Sequence, residues 1–192
     1  MTPMTTTVYT ASNSRGFLVE WYLRELGQKV NVKSFDLAKG EQRHSEFLVV
    51  NPFGKVPALH ESDDGGWTLF ESGAILMYLA EKYDPKYPKD IRGRAKVAQW
   101  MLFANSTLAE AVSIESLREE QQGQVLQGLE KHLSENEFLL GNDFSVADFV
   151  VGGTLAYASM MHEPKLDPSP YPRTAAYKEH AIAHCHRKMV AP

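Results

Sequence analysis

One cysteine, Cys185, stands among 192 residues. A lone thiol excludes an internal disulfide, a Cys-x-x-Cys redox pair and a cysteine-rich zinc site. That usage suits a reducing compartment, and a cytoplasmic location is the expectation. Charge of either sign is scarce in excess: Lys+Arg 20 against Asp+Glu 24 gives a formal net charge of -4. Neutralising phosphates needs a basic surface, so no nucleic-acid partner is expected. No run approaches the roughly 18 apolar residues of a membrane span, so no membrane partner is expected either. The opening MTPMTTTVYT has no basic segment followed by an apolar stretch, and no signal peptide is expected. What remains is ordinary globular composition, 43% hydrophobic and 23% charged, long enough for one large domain or two small ones.

Residues 5–10 (TTTVYT) are β-branched and aromatic, a strand by propensity. Residues 11–14 (ASNS) form a turn. The segment RGFLVEWYLREL, 15–26, places Phe17, Leu18, Trp21, Tyr22 and Leu26 at helical spacing, and Gly27 stops it. Alternation in VNVKSF, 30–35, predicts a half-buried strand. Strands follow at 56–60 and 67–70 around the turn signal DDGG at 63–66, then a helix over 72–83. The order is βαβ, then ββα. Residues 84–90 are proline-rich and polar and read as a linker between domains at 1–83 and 91–192. Past the linker no strand signal appears. Helices are predicted over 92–117, 119–134, 146–161 and 174–189. Val97, Met101, Ala104 and Leu108 make the inner stripe of the first, and the third is apolar all round.

Two stretches carry chemistry. In NPFGKVPAL, 51–59, a proline at the mouth of a strand cannot donate to the ladder. A cis bond between Val56 and Pro57 would aim the Val56 N–H and C=O out of the sheet, where a peptide-like ligand could pair with them. A plain edge-strand proline is the competing account. Glu71 and Ser72 open the next helix. Unpaired N–H groups and the macrodipole make that end an anion site, and Ser72 could hold a carboxylate while Glu71 meets an ammonium. An α-amino acid end offers both charges on one carbon. Otherwise Ser72 is a helix cap and Glu71 a favourable first-turn charge.

These pieces together resemble the glutathione transferase family. NPFGKVPAL followed by LFESGAILMYLAEKY is similar to that family's glutathione-site core, and FSVADF, 144–149, to the folding motif of its helical domain. Ser145-x-x-Asp148 also reads locally as a capping box with Asp in place of Glu. RGFLVEWYLRELG and the short length look most like the small bacterial chi class. The resemblance implies an α/β thioredoxin-like N-terminal domain followed by an all-α C-terminal domain, with reduced glutathione as co-substrate and a homodimeric assembly. By resemblance, Val56 pairs with the cysteinyl backbone, Pro57 is cis, and Glu71 and Ser72 hold the γ-glutamyl amine and carboxylate. Lys55, Arg43, His44 and Gln42 are the candidates for the glycine carboxylate, although a solvated helix face accounts equally for residues 42–44.

The implied reaction is attack of the glutathione thiolate on a small electrophile such as an aryl halide, isothiocyanate or activated alkene. A reference thiol has a pKa of about 8.5, and lowering it by two units takes about 2.7 kcal/mol. One hydroxyl donor at the head of the first helix, with a guanidinium nearby, is sufficient. Tyr9, Ser12, Ser14 and Arg15 are the candidates; Ser14 with Arg15 as helper is preferred, because Ser14 falls where serine-type members keep a hydroxyl. Without a cysteine there, a mixed-disulfide mechanism is not expected. Trp100, Phe103, Asn105 and Leu108 are candidates to line the electrophile site. The alternatives are a non-catalytic glutathione-binding scaffold of the same fold, and a glutathione-dependent isomerase, dehalogenase or peroxidase. His180 and His184 stand four apart on one helix, but a third metal ligand is missing, and no metal is expected.

Overall fold

A computed structural model of the chain describes residues 6–62, 66–117, 121–161 and 166–189. Most of the turn expected at 63–66, the start of the helix expected at 119 and part of the proline-rich stretch from 164 lie outside them. The chain divides into two compact units, Met1–Asp84 and Pro85–Pro192.

The first unit contains β1 (Thr6–Ala11), α1 (Gly16–Glu25), β2 (Asn31–Phe35), a 3₁₀ turn (Glu41–Arg43), α2 (Ser45–Leu48), β3 (Ala58–Glu61), β4 (Trp67–Phe70) and α3 (Ser72–Tyr83). The sheet order is β2-β1-β3-β4. β1 runs parallel to β2, with Val8 opposite Val32, and antiparallel to β3, with Tyr9 opposite Ala58. The alternation of β1 sends Val8 inward, opposite Leu59, and both are wholly buried, as are Val19, Ile75 and Leu79. It sends Tyr9 to the opposite cluster, around Phe35, Phe47, Val50 and Ala58. β2 departs from the expected half-buried strand. It is an outer strand with one neighbour, and Val32 is 49% exposed.

Gly16 explains how α1 comes so close to β1. A Cβ there would stand 2.0 Å from Thr10 Oγ1 and 2.9 Å from Thr10 Cβ. Only a residue without a side chain lets the first turn rest on that strand.

The second unit is helical, with an isolated bridge between Phe138 and Gly141. The single helix expected over 92–117 is interrupted. α4 (Ile91–Phe103) passes into a π-helical turn (Ala104–Leu108), then α5 (Ala109–Ser113), and an extended Ile114 separates α6 (Glu115–Leu117). The Ser106 hydroxyl donates back to the Leu102 carbonyl at 2.6 Å, the local competition that loosens helices. The predicted stripe nonetheless stays buried. α7 (Gly123–Glu135), the apolar α8 (Val146–Met161) and α9 (Pro172–Met189) complete the unit. Asp148 in α8 accepts four bonds: from the Leu139 N–H (2.8 Å), the Ser145 N–H (2.9 Å), the Ser145 hydroxyl (2.7 Å) and the Tyr177 hydroxyl (3.1 Å). The expected capping box is therefore altered, since Ser145 Oγ donates to the carboxylate. Burial pushes the Asp148 carboxyl above its ordinary value, against the donors that pull it down.

Candidate active site

The loop between α2 and β3 is built by Asn51. Its buried side chain donates from Nδ2 to the Lys55 carbonyl at 2.7 Å and accepts the Phe53 N–H at 3.1 Å on Oδ1. This Asx turn holds residues 51–55 rigid and delivers the chain to Val56. The Val56–Pro57 peptide is cis. β3 begins only at Ala58, so Val56 stands outside the ladder.

The junction of β4 with α3 is equally unusual. Glu71 occupies the N-cap with φ 71° and ψ 118°, a positive-φ conformation rare for a side-chain-bearing residue. Such backbone costs on the order of 1–3 kcal/mol and persists where surrounding structure enforces it, commonly at ligand sites. Ser72 is then the first helical residue rather than the cap, and is only 3% exposed.

A cleft of two adjoining lobes runs over these features. The first, about 490 Å³, is lined by Arg15, Val56, Pro57, Glu71 and Ser72, with Asn51 and the edge-on pair Phe53 and Phe70 beside them. The second, about 380 Å³, is lined by Ser14, Gln42, Arg43, Lys55 and Val56, with an apolar rim that includes Leu37 and Leu48. Phe53, Lys55 and Val56 belong to both, so Val56 marks the junction. The first lobe thus sets the Glu71 carboxylate at a helix N-terminus beside Arg15 and Lys55, whereas the second holds Arg43 with Lys55 and no carboxylate.

Of the first-turn candidates, Arg15 faces the first lobe and Ser14 the second. Ser14 also braces the turn into α1: Oγ accepts the Gly16 N–H at 3.1 Å and donates to the Ala11 carbonyl at 2.7 Å. Ser12 is exposed and lines neither lobe. Tyr9 lies off the cleft, because strand alternation packs its ring against Phe35 (5.9 Å) and Phe47 (5.2 Å). His44 also stands apart. It ends the 3₁₀ turn in extended conformation and lines a separate hollow of about 200 Å³ with Lys33, Glu41 and Glu46. In the second unit Leu108 is wholly buried and cannot line a substrate site, while Trp100 lies edge-on to Phe103 and His132. His184 stacks on Phe144 at 4.0 Å and His180 on the same ring at 6.3 Å. No three potential metal ligands cluster among the described residues. No helix among them is long and apolar enough to cross a membrane.

Sequence reasoning missed Asn51, Phe53 and Phe70. The signal for Asn51 was present in the Asn-Pro-Phe-Gly turn chemistry; the two aromatics gave none beyond hydrophobicity.

Two family models match this chain: glutathione S-transferase, N-terminal domain, over residues 4–81, and glutathione S-transferase, C-terminal domain, over 116–179. Glutathione S-transferase F10 of Arabidopsis thaliana is 37% identical over 173 residues, covering 76% of this chain and 77% of the relative. The disulfide-bond oxidoreductase YfcG of Escherichia coli is 32% identical over 161 residues, 73% of this chain and 74% of that one. Among solved structures, the glutathione transferase URE2P6 of Phanerochaete chrysosporium, in complex with oxidised glutathione, superposes with a TM-score of 0.79 at 28% identity, over 97% of this chain and 96% of that one. The fold is a thioredoxin-like domain followed by an all-helical domain. The chain belongs to the glutathione S-transferase family of enzymes.

Proposed function

We propose that the chain is a glutathione transferase that binds reduced glutathione lengthwise in the two-lobed cleft and directs its thiolate at a small electrophilic carbon. The observation that carries this reading is the polarity of the cleft about Val56. A γ-glutamyl end brings an ammonium to Glu71 and a carboxylate to the α3 N-terminus at Ser72. The cysteinyl unit pairs with the Val56 backbone as an added strand would. The terminal carboxylate reaches Arg43 and Lys55, with Gln42 beside them.

The sulfur then lies near the junction of the lobes, within reach of Arg15 and Ser14. A hydroxyl donor and a guanidinium both favour the charged thiolate, and the N-terminus of α1 adds its partial positive charge. The thiolate forms an S–C bond as a halide leaves from an aryl halide, or adds to an isothiocyanate carbon or activated alkene that then takes up a proton. A detoxifying role, a cytoplasmic location and a homodimeric assembly are part of the same proposal. They are supported by family membership and by the absence of a spanning helix among the described residues.

A second reading is favoured by the 32% identical disulfide-bond oxidoreductase. In it the activated glutathione sulfur attacks a disulfide, forms a mixed disulfide with one half and releases the other as thiolate. In this reading the reacting sulfur is glutathione's.

Calorimetric titration of reduced glutathione tests the binding step. Heat at sub-millimolar concentration, weakened at least tenfold by Glu71→Ala or Ser72→Ala, is the expected result; no heat at millimolar ligand refutes it. Turnover of an aryl halide against that of a small symmetrical dialkyl disulfide then ranks the two reactions.

A further inference from the structure

The second lobe is larger than a glycine requires. The third residue of glutathione adds five heavy atoms, whereas the lobe, which it shares with the cysteinyl unit at Val56, measures about 380 Å³. Its character also exceeds what a glycine uses. Arg43 and Lys55 provide cations for a terminal carboxylate. Gln42 lines the lobe beside them. The rim is apolar and wet: Leu37 is 40% exposed and Leu48 36%. A glycine leaves that rim uncovered.

We propose that this lobe accepts γ-glutamyl-cysteinyl peptides whose third residue carries an apolar side chain, and binds them more tightly than glutathione. The inference rests on the lengthwise binding argued above. The carboxylate of the third residue sits on Arg43 and Lys55, and its side chain lies over Leu37 and Leu48. Removing that side chain and the two leucines from water drives the gain.

Calorimetry on the full chain compares γ-glutamyl-cysteine, glutathione, γ-glutamyl-cysteinyl-leucine and the C-terminal amide of the last. The leucyl peptide is expected to bind about three- to tenfold more tightly than glutathione, the part of a leucine burial that an open rim can supply. Its amide and the dipeptide are expected to bind more weakly than the leucyl acid. In Leu37→Ser/Leu48→Ser the leucyl-to-glutathione affinity ratio falls to one or below. Both leucines are exposed, and a thermal melt matching the parent's verifies the variant's fold. Glutathione binding with a leucyl peptide that binds no more tightly overturns the proposal, as does an unchanged ratio in the double variant. Absence of heat with all four thiols overturns the glutathione reading itself.

Discussion

Replacing Ser14 by alanine separates two tasks that one hydroxyl performs. At rest its proton is held by the Ala11 carbonyl at 2.7 Å, and its oxygen accepts the Gly16 N–H at 3.1 Å. Stabilising a thiolate means turning the proton away from Ala11. A hydrogen bond to a charged partner contributes about 1.5–3 kcal/mol and a neutral one about 0.5–1.5 kcal/mol, so the net gain from turning is about 1 kcal/mol. At 1.36 kcal/mol per unit, that lowers the thiol pKa by about 0.7 unit. Ser14 alone therefore falls short of a two-unit shift. Arg15 faces the lobe that holds Glu71 and Ser72, and an exposed guanidinium near the sulfur accounts for about one further unit.

The two contributions answer differently to salt. A short hydrogen bond is indifferent to ionic strength, whereas an exposed charge is screened once the Debye length shrinks from about 10 Å at 0.1 M to about 3 Å at 1 M. The assay is the ultraviolet thiolate band of bound glutathione, titrated with pH at both salt concentrations. Ser14→Ala is expected to raise the pKa by about 0.7 unit at either salt. Arg15→Leu is expected to raise it by about one unit at low salt and by much less at high salt. Loss of its two resting hydrogen bonds also costs Ser14→Ala about 1–3 kcal/mol of stability, so its titration is run well below its melting point. A rise of two full units in Ser14→Ala would refute the division of labour. So would an Arg15→Leu effect that 1 M salt leaves intact.

Three further outcomes follow from the packing. Asp148→Ala strands three donors at a fully buried site and leaves the Tyr177 hydroxyl only the residue 148 carbonyl at 3.3 Å; a loss of about 3–5 kcal/mol, or about 6–20 °C in melting temperature, is expected in a calorimetric scan. Gly16→Ala drives a methyl into the buried Thr10 and is expected to cost about 1–3 kcal/mol and to weaken glutathione binding by displacing the first turn of α1. Glu61 is desolvated, yet its bonds to Lys82, Tyr78 and Thr6 together hold its carboxyl below the ordinary 4.5. A depressed carboxylate contributes stability above its unfolded value and loses it as pH falls. Urea midpoints of the parent should therefore drop below pH 4.5, and those of Glu61→Gln should be lower at neutral pH and flatter in that range.

How much of this was legible in the sequence depends on the length scale of the cause. β1, α1 and the ββα half were legible because period and turn chemistry are local: Gly27, the 51–59 motif and the Asp84–Pro85 stop each act within a few residues. Val32 misled because alternation reports which faces a strand presents and not whether the sheet continues beyond it. The interruption at 104–108 was hidden because the apolar stripe passes through it unbroken, and only the Ser106 side chain marks the loosened turn.

The site divides in the same way. Val56, Pro57, Glu71 and Ser72 were legible as a group, because each unusual backbone feature sits beside the residue type that makes it useful. The first-turn donors were not separable by sequence, since Ser12, Ser14 and Arg15 lie within four positions and only the path of the chain decides which of them faces the cleft. Asn13, at φ 56°, turns the chain between the two serines. The hydroxyl before it remains in solvent, and the one after it braces the turn into α1 and faces the second lobe. Tyr9 and His44 line neither lobe: alternation along β1 sends the Tyr9 ring to Phe35 and Phe47, and His44 borders a separate hollow. Proximity in sequence to the site was a poor guide for both. The residues that do converge on Val56 come from four separate segments, and they set the Glu71 carboxylate in one lobe and Arg43 in the other, with Lys55 between, a separation that suits an extended zwitterionic peptide.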